Sequence, residues 1–255
     1  MGDDADLTQD GFLGNRLKIR QPRGGHRAGL EAVLLAAAAQ PPEGGRVCEL
    51  GSGAGVATLC AATRRPDILV TGIERDEALV DLAIDNADAH DLGAQVRFCV
   101  GDVLAPFAAL GETANSYDFV IANPPFYDAG GAPPSTDADR RRAHHGEAGD
   151  LEKWVACAAA LLTGGGALVF VHRADALDRL LAAMPPRFGD VHVLPVAPRA
   201  DAPASRILLR ARRDGRGALV LLPPLVLHDA DGAPSAAAQA VLRDAAPLDF
   251  ARNGG

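Results

Sequence analysis

Glu49-Leu50-Gly51-Ser52-Gly53-Ala54-Gly55 is the stretch that decides how this chain folds. Three glycines at alternate positions remove the Cβ atoms that would hold a ligand away from the backbone. RVCEL, 46–50, precedes them and reads as a buried strand; residues 54–63 follow and read as a helix. A glycine-rich turn between strand and helix is the setting that a nucleotide-type loop requires. The stretch lacks the G-x-x-x-x-G-K-[ST] pattern of a phosphate-gripping P-loop. Taken alone, such a loop serves a structural turn as readily as a ligand site.

Outward from the loop, strands and helices alternate. Before it, 29–39 places Leu30, Val33, Leu34 and Ala37 on one apolar helical face, and Pro41-Pro42 with Gly44-Gly45 ends that helix. After it come a strand at 68–74 and a helix at 76–90 with Leu79, Leu82 and Ala83 inward. A strand at 96–100, a short helix at 103–112 and a strand at 117–122 follow. Residues 127–148 form a long break rich in Gly, Pro, Ser and Asp. A helix at 150–162 then sets Leu151, Trp154, Val155, Ala158 and Leu162 on one side, which makes Trp154 a core residue. Gly164-Gly165-Gly166 turns into a strand at 167–172, followed by a helix at 174–184 and strands near 190–196, 205–212 and 218–222. Residues 1–15 read as frayed. Such alternation predicts an α/β fold, a mostly parallel sheet with helices on both faces. Ligands in such sheets bind beyond the carboxyl ends of the strands, here just after Leu50, Ile73, Val100 and Ala122.

Bulk properties narrow the classes. The 255 residues suit one α/β domain with extensions, read as an N-terminal extension over 1–28, a domain over 29–222 and a C-terminal extension over 223–255. Cys48, Cys60, Cys99 and Cys157 form no C-x-x-C pair and no zinc-type spacing with histidine, so they read as buried core residues and no metal is expected. The acidic start MGDDADLTQDG lacks an apolar signal region, and no stretch is long and unbroken enough to span a bilayer; a cytoplasmic protein is expected. A net charge of −8 argues against a nucleic-acid partner, but its distribution does not. Three groups stand out: Arg16, Lys18, Arg20, Arg23 and Arg27; Arg140-Arg141-Arg142 with His144-His145; and Arg206, Arg210, Arg212, Arg213 and Arg216. Association depends on the local field rather than on the sum, though each group also reads as an ordinary solvated face.

The strand ends supply the chemistry. Glu74 ends the second strand, twenty-three residues past Gly51. A carboxylate there can accept both ribose hydroxyls, or it can complement a helix dipole. Gly101-Asp102-Val103 ends the third; Asp102 can accept from an adenine amine or begin a helix. The fourth ends Asn123-Pro124-Pro125-Phe126. Two prolines stiffen the backbone and remove two N–H donors, and Asn123 is pushed toward an extended conformation. That leaves a rigid rim of acceptors, the Asn123 side-chain oxygen and the Pro124 carbonyl, with Phe126 as a flat apolar face. Two acceptors and a stacking face suit a planar –NH2 group.

With these residues the chain resembles the class I S-adenosylmethionine-dependent methyltransferases. More narrowly, it is similar to the bacterial tRNA1(Val) adenine-N(6) methyltransferase group, which carries the "methyltransferase small" domain. The likeness rests on GlnProArgGlyGlyHisArgAlaGly and AlaValLeuLeuAla, the glycine loop, Glu74, Gly101-Asp102, Asn123-Pro124-Pro125-Phe126 with Tyr127, LeuGluLysTrpVal, and ProProLeuValLeuHis. The resemblance implies a Rossmann-like fold with a mostly parallel seven-stranded sheet. It implies that Gly51, Ser52, Gly53 and Gly55 line the methionine part of S-adenosylmethionine, with Glu49 near its ammonium. Glu74 would hold the ribose, and Asp102 and Val103 would meet the adenine. Asn123, Pro124 and Pro125 would orient the target amine, Phe126 would stack on its base, and S-adenosylhomocysteine would be the product. The group has Asp where this chain has Glu31, and Asp is common where it has Glu49.

These roles describe methyl transfer to an exocyclic amine, with adenine N(6) of tRNA, or another structured RNA, as the expected substrate. Bonds from the amine to Asn123 and Pro124 favour a pyramidal nitrogen and concentrate its lone pair, without a metal or a dedicated base. Other readings share parts of the pattern: a protein glutamine-amide methyltransferase, a guanine-amine rRNA methyltransferase, a DNA adenine methyltransferase, or a non-catalytic cofactor-binding scaffold. The first is expected to carry a helical N-terminal domain, the second tandem domains and the third a target-recognition domain. A scaffold has no use for amine acceptors.

Overall fold

The structure is a computed structural model, and it describes residues 6–24, 27–125 and 150–250. Its centre is one sheet. Strands β3 (Arg46–Leu50), β4 (Leu69–Glu74), β5 (Val96–Val100), β6 (Tyr117–Ala122) and β7 (Leu162–Arg173) run parallel in the order β5-β4-β3-β6-β7. β9 (Arg206–Arg213) then pairs antiparallel with β7, and β8 (Phe188–Ala197) antiparallel with β9. These seven match the sheet that the resemblance implied and the first seven strands read from the pattern; the eighth, near 218–222, is the short strand over Val220–Leu221. Two short ones, β10 (Val220–Leu221) and β11 (Leu225–Val226), lie parallel along β8 and widen the sheet to nine, so residues beyond 222 continue it.

Strand alternation sends side chains to two cores. Val47, Val70, Ile121 and Val169 face α1 (Leu30–Ala38), α2 (Val56–Arg64) and α3 (Glu77–Asp88). Cys48, Ile73, Val120 and Phe170 face a helix over residues 150–161, labelled α4, and α5 (Leu177–Ala183). Trp154 is buried in this second core as expected. Cys48, Cys60 and Cys157 are buried and Cys99 is half-buried. No helix among the described residues is long and apolar enough to cross a membrane.

Several local expectations are corrected. The stretch expected to fray contains β1 (Leu7–Phe12), which forms an antiparallel hairpin with β2 (Leu17–Pro22). Its polar run, Thr8-Gln9-Asp10, hides a strand whose partner carries the buried alternation Leu17, Ile19 and Gln21. α1 is buried almost all round rather than on one face, because it packs against the sheet, α2 and α6 (Ala236–Leu242) at once. On α3 the inward stripe is Val80, Ala83, Asn86 and Ala87; Leu79 and Leu82 are only half-buried, because the core lies one position round the helix from the expected stripe. Residues 103–112 form only a 3-10 turn, Phe107–Ala109, and the 174–184 helix opens with another, Ala174–Ala176. The triple glycine belongs to β7, which bulges between its pairings with Tyr117 and Phe119.

Candidate functional site

The ends of β5, β4, β3 and β6 lie side by side, with Leu50 opposite Ile73 and Ala122 and Glu74 opposite Val100. Sequence-distant candidates therefore meet along one edge. The glycine loop leaves β3 and is held by the end of β4: Gly51 N–H and Ser52 N–H both donate to the Ile73 carbonyl, at 2.8 and 3.0 Å. Gly53 N–H donates to Glu74 Oε2 at 3.0 Å. The other Glu74 oxygen accepts from Arg75 N–H and Asp76 N–H at 2.8 and 3.1 Å. Glu74 thus stands against the loop, with acceptor capacity left on Oε2.

Gly53 has φ +53° and no heavy atom within 4 Å of where a Cβ would stand, so the loop's outer side is bare. Gly51 has φ +68°, and a Cβ there would lie 2.7 Å from Trp154 Cη2. Trp154, the single tryptophan, is the floor under the loop. Gly51→Ala is therefore expected to destabilise the fold by about 2–3 kcal/mol, from left-handed strain and displacement of the indole. Thermal unfolding should show a melting temperature several degrees lower, with a changed Trp154 fluorescence in the folded state; an unchanged melting temperature would refute the packing.

Glu49 turns under the first turn of α2, where its Oε2 accepts from Thr58 N–H at 2.8 Å and Thr58 Oγ–H at 2.7 Å. Burial pushes its carboxyl from 4.5 up to about 8, against those two bonds, and the nearby charge of Glu74 adds to the rise. A folded-state value above the unfolded one means that the folded protein holds the extra proton between them. Stability should therefore fall as pH rises from 4.5 to about 8 and level off above. Glu49→Gln keeps an acceptor for Thr58 and carries no charge. It is expected to abolish that slope and to be the more stable protein at alkaline pH by a few kcal/mol. Urea unfolding at about pH 5 and about pH 9 checks this; parallel curves for the two proteins would show that Glu49 is not buried protonated.

Asp102 is exposed, and its Oδ1 accepts from Leu104 N–H at 2.9 Å, so it tightens the turn after β5. The Val103 side chain enters the second core. Asn123 follows β6; its Oδ1 is buried and has no hydrogen-bond partner among the described residues. Pro124 is buried and Pro125 exposed. Phe126, Tyr127, Arg140-Arg141-Arg142, His144 and His145 lie outside the described residues. The other two basic groups are partly taken up internally. Arg20 pairs with Asp85 at 3.0 Å, Arg27 with Asp10 at 2.6 Å, and Arg206 with Glu31 at 3.0 Å. Arg212 lies 3.4 Å from Asp190, and Arg210 stacks over the Phe250 ring. Glu31 therefore has a partner on β9. A cavity of about 840 Å³ under α6, lined by Leu194, Leu222, Leu225, Val241 and Leu248, shares no residue with the loop or Asn123.

Thr58 and Asn86 take part in the site's framework although no motif marks them. Asn86 carries one readable signal, a lone amide on the apolar stripe of α3. The arrangement offers a glycine loop bare at Gly53 and packed on Trp154 at Gly51 and on Phe98 at Gly55, a carboxylate beside it and an unsatisfied acceptor at the next strand end. Such a site can hold an extended ligand with hydroxyls and an amine.

A family model described as the methyltransferase small domain matches residues 30–196. A protein of Porphyromonas gingivalis named tRNA1(Val) (adenine(37)-N6)-methyltransferase is 32% identical over 199 residues, which cover 74% of this chain and 77% of that one. The crystal structure of a predicted O-methyltransferase from Agrobacterium tumefaciens superposes with a TM-score of 0.73 at 24% identity, over 86% of this chain and 98% of that one. TrmN from Thermus thermophilus superposes with a TM-score of 0.52 at 23% identity, over 71% of this chain and 47% of that one. With the family model spanning the loop, the strand ends and Asn123, this chain belongs to the methyltransferase small domain family.

Proposed function

We propose that this protein transfers a methyl group from S-adenosylmethionine to the N6 amine of an adenine in tRNA. The observation that carries the reading is Asn123 Oδ1, a buried acceptor with no partner among the described residues, at the strand end next to the glycine loop. A buried oxygen without a donor is costly, and such groups persist where a ligand supplies the bond. The relative from Porphyromonas gingivalis supports the choice of substrate.

The residues present fit the cofactor. Gly51, Ser52, Gly53 and Gly55 form the cradle for its methionine part, with Glu49 behind them. Glu74 faces the loop and accepts the ribose hydroxyls; Asp102 and the backbone at Val103 border the adenine. When bound, S-adenosylmethionine supplies an activated methyl on a sulfonium. Asn123 and Pro124 accept from the target amine, hold its lone pair toward that methyl and stabilise the charge that develops on nitrogen. Pro125 stiffens the rim, and Phe126 stacks on the base. Alignment of the two reactants contributes the rest of the acceleration. The methyltransferase unit runs over 29–222, flanked by the extensions 1–28 and 223–255, and works in the cytoplasm.

An adenine amine is paired in a duplex, so the substrate is a base already unstacked, as in a tRNA loop, or one that the enzyme flips out. Incubation with tRNA, rRNA and protein fractions and methyl-labelled cofactor, followed by nucleoside analysis, should place the label on N6-methyladenosine of tRNA. Label on a protein glutamine would overturn the substrate. Replacing Arg140, Arg141 and Arg142 together with alanine is expected to weaken RNA binding. It should also flatten the salt dependence by up to about one unit of slope for each phosphate no longer neutralised, with cofactor binding intact. An unchanged salt slope would remove these arginines from the interface.

A further inference from the structure

Asn86 is 1% exposed on α3 and uses its amide in three bonds. Oδ1 accepts from Arg20 N–H at 2.9 Å, and Nδ2 donates to the Arg20 carbonyl at 3.0 Å and to the Ala54 carbonyl at 3.1 Å. Only this orientation of the amide satisfies all three partners. Toward Arg20 it replaces a neighbouring strand, pairing both backbone groups on the open edge of β2. His90, one turn further along, lies 3.2 Å from Lys18 N on the same edge. Toward Ala54 it grips the glycine loop between Gly53 and Gly55, both at left-handed φ. The hairpin is tied at a second point: the Gln21 amide, 3% exposed, accepts from Ala28 N–H at 2.9 Å and donates to the Ala28 carbonyl at 3.2 Å, just before α1.

The geometry points to Asn86 as a positioning residue that locks the glycine loop to the N-terminal hairpin, so that the hairpin sets the affinity for the cofactor. The inference rests on the reading of that loop as the S-adenosylmethionine cradle. Gly51 and Ser52 are tied to Ile73 and Gly55 N–H closes the turn on the Ser52 carbonyl at 2.9 Å, but around Ala54 the bonds to groups outside the loop are two: Gly53 N–H to Glu74, and Asn86 to the Ala54 carbonyl itself. Glycines at Gly53 and Gly55 leave the backbone free to swing once the carbonyl is released. That swing draws the Gly53 amide away from Glu74 and disorders the side that meets the ligand.

The test uses the full chain, S-adenosylhomocysteine as the calorimetric probe, and amide hydrogen exchange. Asn86→Asp keeps the shape and the bond from Arg20 N–H, but sets a second oxygen against the Arg20 and Ala54 carbonyls. The dissociation constant is expected to rise about tenfold or more, with KM for S-adenosylmethionine rising alongside and kcat at saturation within about threefold of wild type. Amides of 17–21 and 51–55 should exchange faster together. Arg20→Pro weakens the same link from the hairpin side, removing the N–H that Asn86 Oδ1 accepts and the ion pair to Asp85 while leaving α3 and the loop sequence intact, and an outward edge position tolerates proline. It should weaken binding in the same direction, and it decides the matter if Asn86→Asp does not fold. A purely structural role would lower stability and leave the affinity of the folded protein alone. The inference is overturned if folded Asn86→Asp binds within about twofold of wild type, or if Arg20→Pro speeds hairpin exchange without changing affinity. Failure of the wild type itself to bind would instead overturn the reading of the loop.

Discussion

Asn123→Ala is expected to abolish methyl transfer while leaving cofactor affinity near the wild-type value. The proposed mechanism gives Asn123 Oδ1 one task, accepting from the amine as charge develops on it. Loss of one oriented partner at a transition state costs about a hundredfold or more in kcat. The fold should not suffer. Oδ1 is buried with no partner among the described residues, so truncation takes away an unsatisfied acceptor there. Stability is expected to hold or to rise by up to ~1 kcal/mol. Asn123→Asp keeps an acceptor in place and should retain more turnover than the alanine variant. Single-turnover kinetics with a tRNA substrate, alongside urea unfolding, reads both effects. Near-wild-type turnover in Asn123→Ala would remove Asn123 from the mechanism. Reduced activity accompanied by a large stability loss would mean that Oδ1 is a structural acceptor.

Glu74→Ala should weaken S-adenosylhomocysteine and S-adenosylmethionine alike. The carboxylate accepts from the amides of Gly53, Arg75 and Asp76, so its removal loosens the loop as well as the ribose site. Hydrogen bonds to a charged group contribute about 1.5–3 kcal/mol each, and losing two of them to a ribose lowers affinity by roughly a hundredfold or more. Glu74→Gln retains one acceptor oxygen and offers a donor that a hydroxyl can accept, so its affinity should fall between the two. Calorimetry orders the three proteins. Equal affinities in wild type and Glu74→Ala would place the ribose elsewhere.

Much of the site is legible in residues taken in a row. The alternation of strand and helix from 46 to 122 depends on apolar period and on Gly and Pro breaks, which are local properties. Parallel strands then bring their carboxyl ends to one edge. That is why Gly51, Glu74, Asp102 and Asn123 group together on residue order alone. What escapes the sequence is long-range. The β1–β2 hairpin looks like a frayed tail because polar residues dominate its outer strand, and its burial depends on Leu17 and Ile19 meeting a core built by later residues. The stripe of α3 holds at Ala83 but reads one position off on its other side, because the bulk of Leu79 and Leu82 outweighs Val80, Asn86 and Ala87, which actually pack. Glu31 has no evident partner until β9 brings Arg206 to it. Trp154 reads as core, but only the folded chain places its ring under Gly51. The amino-acid sequence by itself determined the order of elements and the chemistry at the strand ends, because period and residue type act over a few neighbours. The tertiary structure alone decided which side chains brace the loop. The bond from Asn86 to Ala54 spans thirty-two residues and the bond to Arg20 sixty-six, and no local pattern encodes a partner at that separation.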